Sequence, residues 1–186
     1  YQIREELGIK APMLDGMSDS GFFRASDRKS PHNAYLKLSD FADKTIKPER
    51  SRTIYFDNET VFEGDKAESI DFAYLSNNKI NYMYDTKTEM YDRSINGSPM
   101  TDKENGEQVS VKNIIIQRAN HFKVEGTVYT NIDLIGSGES LYFSEGKMQK
   151  GTWERKDKDS LTIYFNEAGE EIPFPPGKTF IQIVRN

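Results

Sequence analysis

Apolar residues recur along this chain at two different periods, and the change from one to the other falls near Pro48. Before it, Ile3 and Leu7 stand four apart on one face of a helix, and Gly8 suits a left-handed C-terminal cap. Two turns without a visible start predict that the helix begins upstream of Tyr1. Loop signals follow at Ala11-Pro12, Asp15-Gly16 and Ser18 to Gly21, then a short extended piece, Phe22-Phe23-Arg24. Ser39 reads as the N-cap of a second short helix over Asp40 to Ile46, with Asp40 and Asp43 near its positive end. Pro48 closes it. Charged residues crowd Lys47 to Arg52, which sets a boundary. The boundary separates residues 1–48, which hold the helical signals, from 49–186, expected to be a β-rich C-terminal domain.

Beyond Pro48 the signal is alternation of period two. Ser69 to Leu75 and Lys79 to Tyr84 are strands turned by Ser76-Asn77-Asn78, with Ile80, Tyr82 and Tyr84 on one face. Thr88 to Ile95 runs into Asn96-Gly97, a strong hairpin signal. Val111 to Gln117 holds Ile114-Ile115-Ile116, apolar on both faces, and predicts a central strand covered on two sides. Thr127 to Ile135 alternates, with Val128, Thr130, Ile132 and Leu134 on one face. Glu139 to Phe143 and Lys147 to Arg155 form a hairpin about Ser144-Glu145-Gly146, and Leu161 to Phe165 and Thr179 to Val184 complete the set. About nine short strands at intervals of ~8–12 residues argue for a meandering sheet or sandwich. The fold class is α+β, predominantly antiparallel β, with one or two short helices near the N-terminus.

Composition narrows the chemistry. Hydrophobic residues are 35% of the chain and charged ones 30%, but 10 Tyr and 11 Phe supply the apolar area a core needs. The net charge of -5 and the absence of a basic stripe argue against nucleic acid as a partner. The run Trp153-Glu154-Arg155-Lys156-Asp157-Lys158-Asp159 alternates in sign and reads as a solvated hairpin end. Cysteine is absent, which removes thiol nucleophiles, disulfides and thiolate metal sites. No apolar run approaches the ~20 residues of a membrane helix.

Several motifs are tested and set aside. Two His and no Cys cannot build a multi-His zinc site. Asp102-Lys103-Glu104-Asn105-Gly106-Glu107 has a calcium-loop composition, but its Gly is misplaced, and a turn is expected. Gly136-Ser137-Gly138 lacks the outer glycines of a nucleophile elbow and reads as a tight connection between strands. Trp153 is expected in the core, and His121 at a strand end. No metal site and no cofactor are assigned.

The dense cluster is Arg24 to Tyr35. Arg24 and Arg28 fork carboxylates or phosphates, Asn33 reads amides and hydroxyls, and Tyr35 offers a stacking face; Asp27 and His32 add a carboxylate and an imidazole. These six are the candidate binding residues. A purely structural role competes: Asp27 pairing with Arg28 or Arg24, and His32 or Asn33 bonding loop backbone. Catalytic residues are not assigned.

Phe22-Phe23-Arg24 running into Asp27-Arg28-Lys29-Ser30-Pro31-His32-Asn33-Ala34-Tyr35 resembles a segment of the YerB-like bacterial lipoproteins, a family of unknown function. Further pieces agree in order: Tyr84-Asp85 to Tyr91, Gly106-Glu107-Gln108 before Val111-Lys112-Asn113-Ile114-Ile115, Asp133-Leu134-Ile135-Gly136-Ser137-Gly138, Tyr142-Phe143-Ser144, Gly151-Thr152-Trp153, and Pro176-Gly177-Lys178-Thr179-Phe180-Ile181. The resemblance implies a two-domain extracytoplasmic protein of a Gram-positive bacterium, lipid-anchored to the cell membrane through a segment outside this chain. It implies that residues 1–48 are the tail of an N-terminal domain plus a connecting helix, and that most of that domain, a partner of this one, lies outside this chain too. It carries over no catalytic residue. The expected function is a non-catalytic binding or scaffolding module at the cell surface, taking a cell-wall fragment or a peptide. The alternative is an envelope hydrolase using His32 with a nearby carboxylate such as Asp27, completed by the N-terminal domain.

Overall fold

Residues 21–30, 32–44, 56, 57, 59, 61–158 and 160–186 are described by a computed structural model. The chain divides into two compact units, Tyr1–Arg52 and Thr53–Asn186.

In the first unit, β1 (Phe22–Arg24) and β2 (Ala34–Leu36) pair antiparallel, Phe23 opposite Tyr35. A 3-10 segment, Leu38–Lys44, follows. Here the α+β expectation fails: no α-helix occurs among the described residues, and their regular structure is nearly all strand. The helix expected over Asp40 to Ile46 is broken at Phe41, whose backbone (φ -120°, ψ 16°) is not helical. Its ring is buried edge-on against Phe22, centroids 5.8 Å apart, and so close over Gly21 that a Cβ there would lie 2.1 Å from it. Tertiary packing of one aromatic outweighs a short helix's weak preference. Ser39 Oγ donates to its neighbour Asp40 rather than capping a turn. The helix expected over Tyr1 to Gly8 lies outside the described residues.

The second unit packs two sheets. One is a meander of β4 (Ser69–Leu75), β5 (Asn78–Asp85), β6 (Met90–Ile95) and β7 (Ser98–Pro99), with β8 (Ser110–Val111) also on β6. The other has the order β14 (Ile163–Asn166), β13 (Lys147–Arg155), β12 (Gly136–Ser144), β9 (Asn113–Ala119), β15 (Thr179–Arg185), with β3 (Asp65–Lys66) on β13. β15 runs parallel to β9, as does the isolated bridge of Phe56 to Phe174, while the other strand pairs among the described residues are antiparallel. β10 (His121–Lys123) and β11 (Thr130–Ile132) form a separate two-stranded ribbon.

Ile114, Ile115 and Ile116 are buried on both faces as their composition predicts. Ile114 and Ile116 join the cluster between the sheets with Ile70, Ile80, Tyr82, Tyr91 and Phe143, while Ile115 faces Phe62, Tyr142, Ile172 and Phe174 behind. The expected strand from Val111 is interrupted at Lys112, where the chain leaves β8 in one sheet and enters β9 in the other. Asn96-Gly97 turns with both φ positive (51° and 78°), the conformation a tight hairpin demands. The Thr127 to Ile135 alternation misleads: only Thr130–Ile132 is strand, and Val128 is 88% exposed. Gly136-Ser137-Gly138 is not a connection but the start of β12. Gly138 faces Trp153, buried as expected, with the indole N–H donating to the Arg118 carbonyl at 2.7 Å.

Candidate functional site

The β1–β2 hairpin brings the sequence-predicted residues together on an open surface. Arg24 Nη1 donates to Asn33 Oδ1 at 2.8 Å, and Asn33 Nδ2 reaches back to the Ala25 carbonyl at 3.3 Å. Tyr35 stacks on Phe23 (5.8 Å, 22°), and the Arg28 guanidinium lies 5.8 Å from the centre of the Tyr35 ring. Arg28, His32 and Asp27 are exposed. The His32 main-chain N–H bonds the Lys29 carbonyl at 3.1 Å and holds the turn, while its ring projects outward. The bonds of Arg24 and Asn33 close the hairpin on itself, and Tyr35 packs between Phe23 and Arg28.

A larger concavity lies in the second unit. The meander ends at β4, whose far side has no neighbouring strand among the described residues. Along β4 lies a cleft of about 570 Å³ lined by residues of both sheets and of the β10–β11 ribbon. Ile116, Leu141, Phe143 and Val184 form its floor, the ribbon contributes His121, Thr130 and Ile132, and Ser69 to Tyr74 make the wall along β4. The volume lies in the range of small-ligand sites.

Two cations stand in this cleft. Arg118 occupies the same strand phase as Ile114 and Ile116, so its side chain continues the face that lies toward the meander. Its Nη1 donates to the Arg185 carbonyl at 3.1 Å, and Arg185 Nη1 to the His121 carbonyl at 3.4 Å. Each guanidinium has five N–H donors, so most stay available. Among the described residues no carboxylate pairs with either, although the chain is net acidic. His121 Nδ1 faces the Ala119 carbonyl at 2.9 Å and so carries the ring proton in the neutral form, leaving Nε2 as an acceptor.

Behind the β4 wall lies a polar network inside the core. Arg93 is 7% exposed; its Nε donates to Tyr82 Oη at 3.1 Å, and Gln182 Nε2 donates to the same oxygen at 2.6 Å. Tyr74 Oη closes the chain on Gln182 Oε1 at 2.5 Å. Burial raises the pKa of Tyr74 and Tyr82 above the ordinary phenol value, against the opposing pull of Arg93. Both hydroxyls stay protonated at physiological pH, Tyr74 donating to Gln182 and Tyr82 accepting from Arg93 and Gln182. Among the described residues no group of three or more His, Cys, Asp or Glu is placed to hold a metal ion.

The cleft residues do not stand out in the sequence as the dense polar types near Arg24 do, because they come from separate strands. One signal was present: Arg93 and Arg118 each sit in the buried phase of an apolar strand, where a solvated Arg does not belong.

A family model described as "Protein of unknown function (DUF3048) C-terminal domain" matches residues 70–181, which run from the second residue of β4 into β15. The protein named "Putative lipoprotein YerB" of Bacillus subtilis (strain 168) is 31% identical over 185 residues, covering 94% of this chain and 55% of that protein. The crystal structure of YerB protein from Bacillus subtilis superposes with a TM-score of 0.79 at 27% identity, covering 98% of this chain and 63% of that one. The chain spans about half the length of the curated relative it matches.

Proposed function

This chain belongs to the DUF3048 family, and from that premise we propose that it is a non-catalytic binding module on the outer side of a bacterial cell membrane. The location is carried over from the relative named a lipoprotein, whose full length would hold the anchor. The binding role rests on one observation: a cleft of about 570 Å³ with an apolar floor and two guanidiniums that no carboxylate neutralises among the described residues. A site with apolar walls and few charged groups holds and orients a ligand. Hydrolysis would ask for a general base oriented by a second group, and the His32 ring lies exposed on the hairpin, which gives that reading less support than the cleft gives to binding.

A thermal-shift screen against cell-wall fragments, sugars, peptides and divalent ions tests this reading, because a ligand bound only by the folded state raises the unfolding midpoint. Ligands that act through the cleft lose their effect with Arg118→Gln and keep it with Arg28→Ala. The reverse pattern would move the site to the β1–β2 hairpin.

A further inference from the structure

The wall of the cleft is unusual for a pocket in a β-sheet. Successive side chains of a strand point to opposite faces, so a pocket on one face touches alternate residues. Here six consecutive residues, Ser69 to Tyr74, line it. The exposed main chain of β4 is itself the wall.

The hydrogen-bond phase fixes what that edge offers. Ser69 stands opposite Met83, and across the next pair the Tyr84 N–H donates to the Glu68 carbonyl at 2.8 Å. Bonded and outward-facing residues alternate along an antiparallel strand. Glu68, Ile70 and Phe72 therefore spend their main-chain groups on β5, and Ser69, Asp71 and Ala73 direct theirs into the cleft. A strand with free N–H and C=O groups is a template for another strand.

We infer that the cleft takes an extended peptide segment, which adds a strand to β4, lays alternate apolar side chains on Ile116, Leu141 and Phe143, and presents a carboxylate to Arg118 and Arg185. The inference deepens the binding role proposed above and rests on it. Three features select this class. An acyl chain with a carboxylate would use the floor and the cations but leave the β4 main chain unsatisfied, and a sugar would waste the apolar floor. A peptide meets all three: main-chain pairing supplies affinity and side-chain pockets supply choice.

The test uses the whole chain and a synthetic array of octapeptides with alternating apolar and polar residues, each made with a free C-terminal carboxylate and as the amide. Binding is read by fluorescence polarisation, and its place by the amide resonances of Ser69, Asp71 and Ala73. Carboxylate peptides should bind and shift those three amides, with amide versions weaker by about tenfold or more, the scale of a lost charge-assisted bond. Arg118→Gln should bring the two versions level. N-methylation of one alternate set of peptide nitrogens should abolish binding, and of the other set should not. That comparison needs no change to the protein, so it holds even if the variant fails to fold. Indifference to both N-methyl sets overturns the strand-addition inference. Dodecanoate binding in the cleft without any peptide also overturns it and leaves the binding role standing. If neither peptides nor dodecanoate bind, the strand-addition inference falls, and the binding role then stands or falls on the sugars, cell-wall fragments and ions of the thermal-shift screen.

Discussion

The guanidinium of Arg93 lies 5.0 Å from the centre of the Phe180 ring, on the inner face between the two sheets. The Tyr82 ring lies 5.8 Å from it, Nη1 meets the Met100 sulfur, and no carboxylate neutralises the charge among the described residues. Aromatic faces and neutral oxygens hold this cation, so the site is an apolar core with a positive centre.

Arg93→Ala should therefore destabilise the domain by about 2–3 kcal/mol, combining the lost cation–π contact, a cavity and a weakened Tyr82 network. Arg93→Met keeps the volume, removes the desolvated charge and should cost less than half as much. Urea midpoints of the two variants check the order. A Met variant as damaging as the Ala variant would show that the charge itself is required.

Gly151 and Gly97 should separate steric from conformational cost. A Cβ at Gly151 would fall 2.0 Å from the Phe165 carbonyl oxygen and 2.7 Å from the Tyr142 ring, so Gly151→Ala must push β13 and β14 apart, at about 2–3 kcal/mol. At Gly97 nothing lies within 4 Å, but φ is +78°. Gly97→Ala should cost about 1 kcal/mol from backbone strain alone. Thermal midpoints of the pair read the difference.

Stability should decline in alkali through buried phenols. Burial pushes the Tyr164 hydroxyl up to about 12, while it donates to Gln117 Oε1 at 3.0 Å. A folded-state pKa above the unfolded value near 10 means the contribution is whole below pH ~10 and is lost as pH rises toward 12. Tyr91 and Tyr142 are raised by burial too and act in the same direction. Urea midpoints at pH 9 to 12 should fall, and Tyr164→Phe should flatten part of the slope. A midpoint constant to pH 12 would contradict the burial of these groups.

The Arg24–Asn33 bond is exposed, so Arg24→Ala should change stability by no more than about 0.5 kcal/mol. A larger loss, measured by chemical denaturation, would mean that the hairpin supports more than itself.

How far the chain discloses this structure depends on whether a signal is local. Ile114 to Ile116 announces a strand buried on two faces, and Asn96-Gly97 announces its turn, because each is decided by neighbours in sequence. Ser39 and Asp40 announce a helix that Phe41 refuses, since the ring packs on residues twenty positions earlier. Val128 to Leu134 alternates as a core strand does, yet only Thr130–Ile132 pairs, in a two-stranded ribbon with β10 outside both large sheets. The cleft was least legible. It lies beside the edge of β4 that has no neighbouring strand among the described residues, and an open place in a sheet is a property of topology that no residue in Ser69 to Tyr74 records.

The parallel contact of β15 on β9 sets Thr179 against Asn113, which are 66 positions apart. Hairpins such as β12–β13 close within a few residues, but no local turn can deliver this last partner, and distant pairings of this kind form late. Until it arrives, β9, with six of its seven residues destined for burial, keeps a bare margin on which a neighbouring chain can dock. Val184→Ala should therefore speed unfolding more than it slows refolding in stopped-flow traces. Newly made protein is most prone to clump in the interval before its final strand is seated.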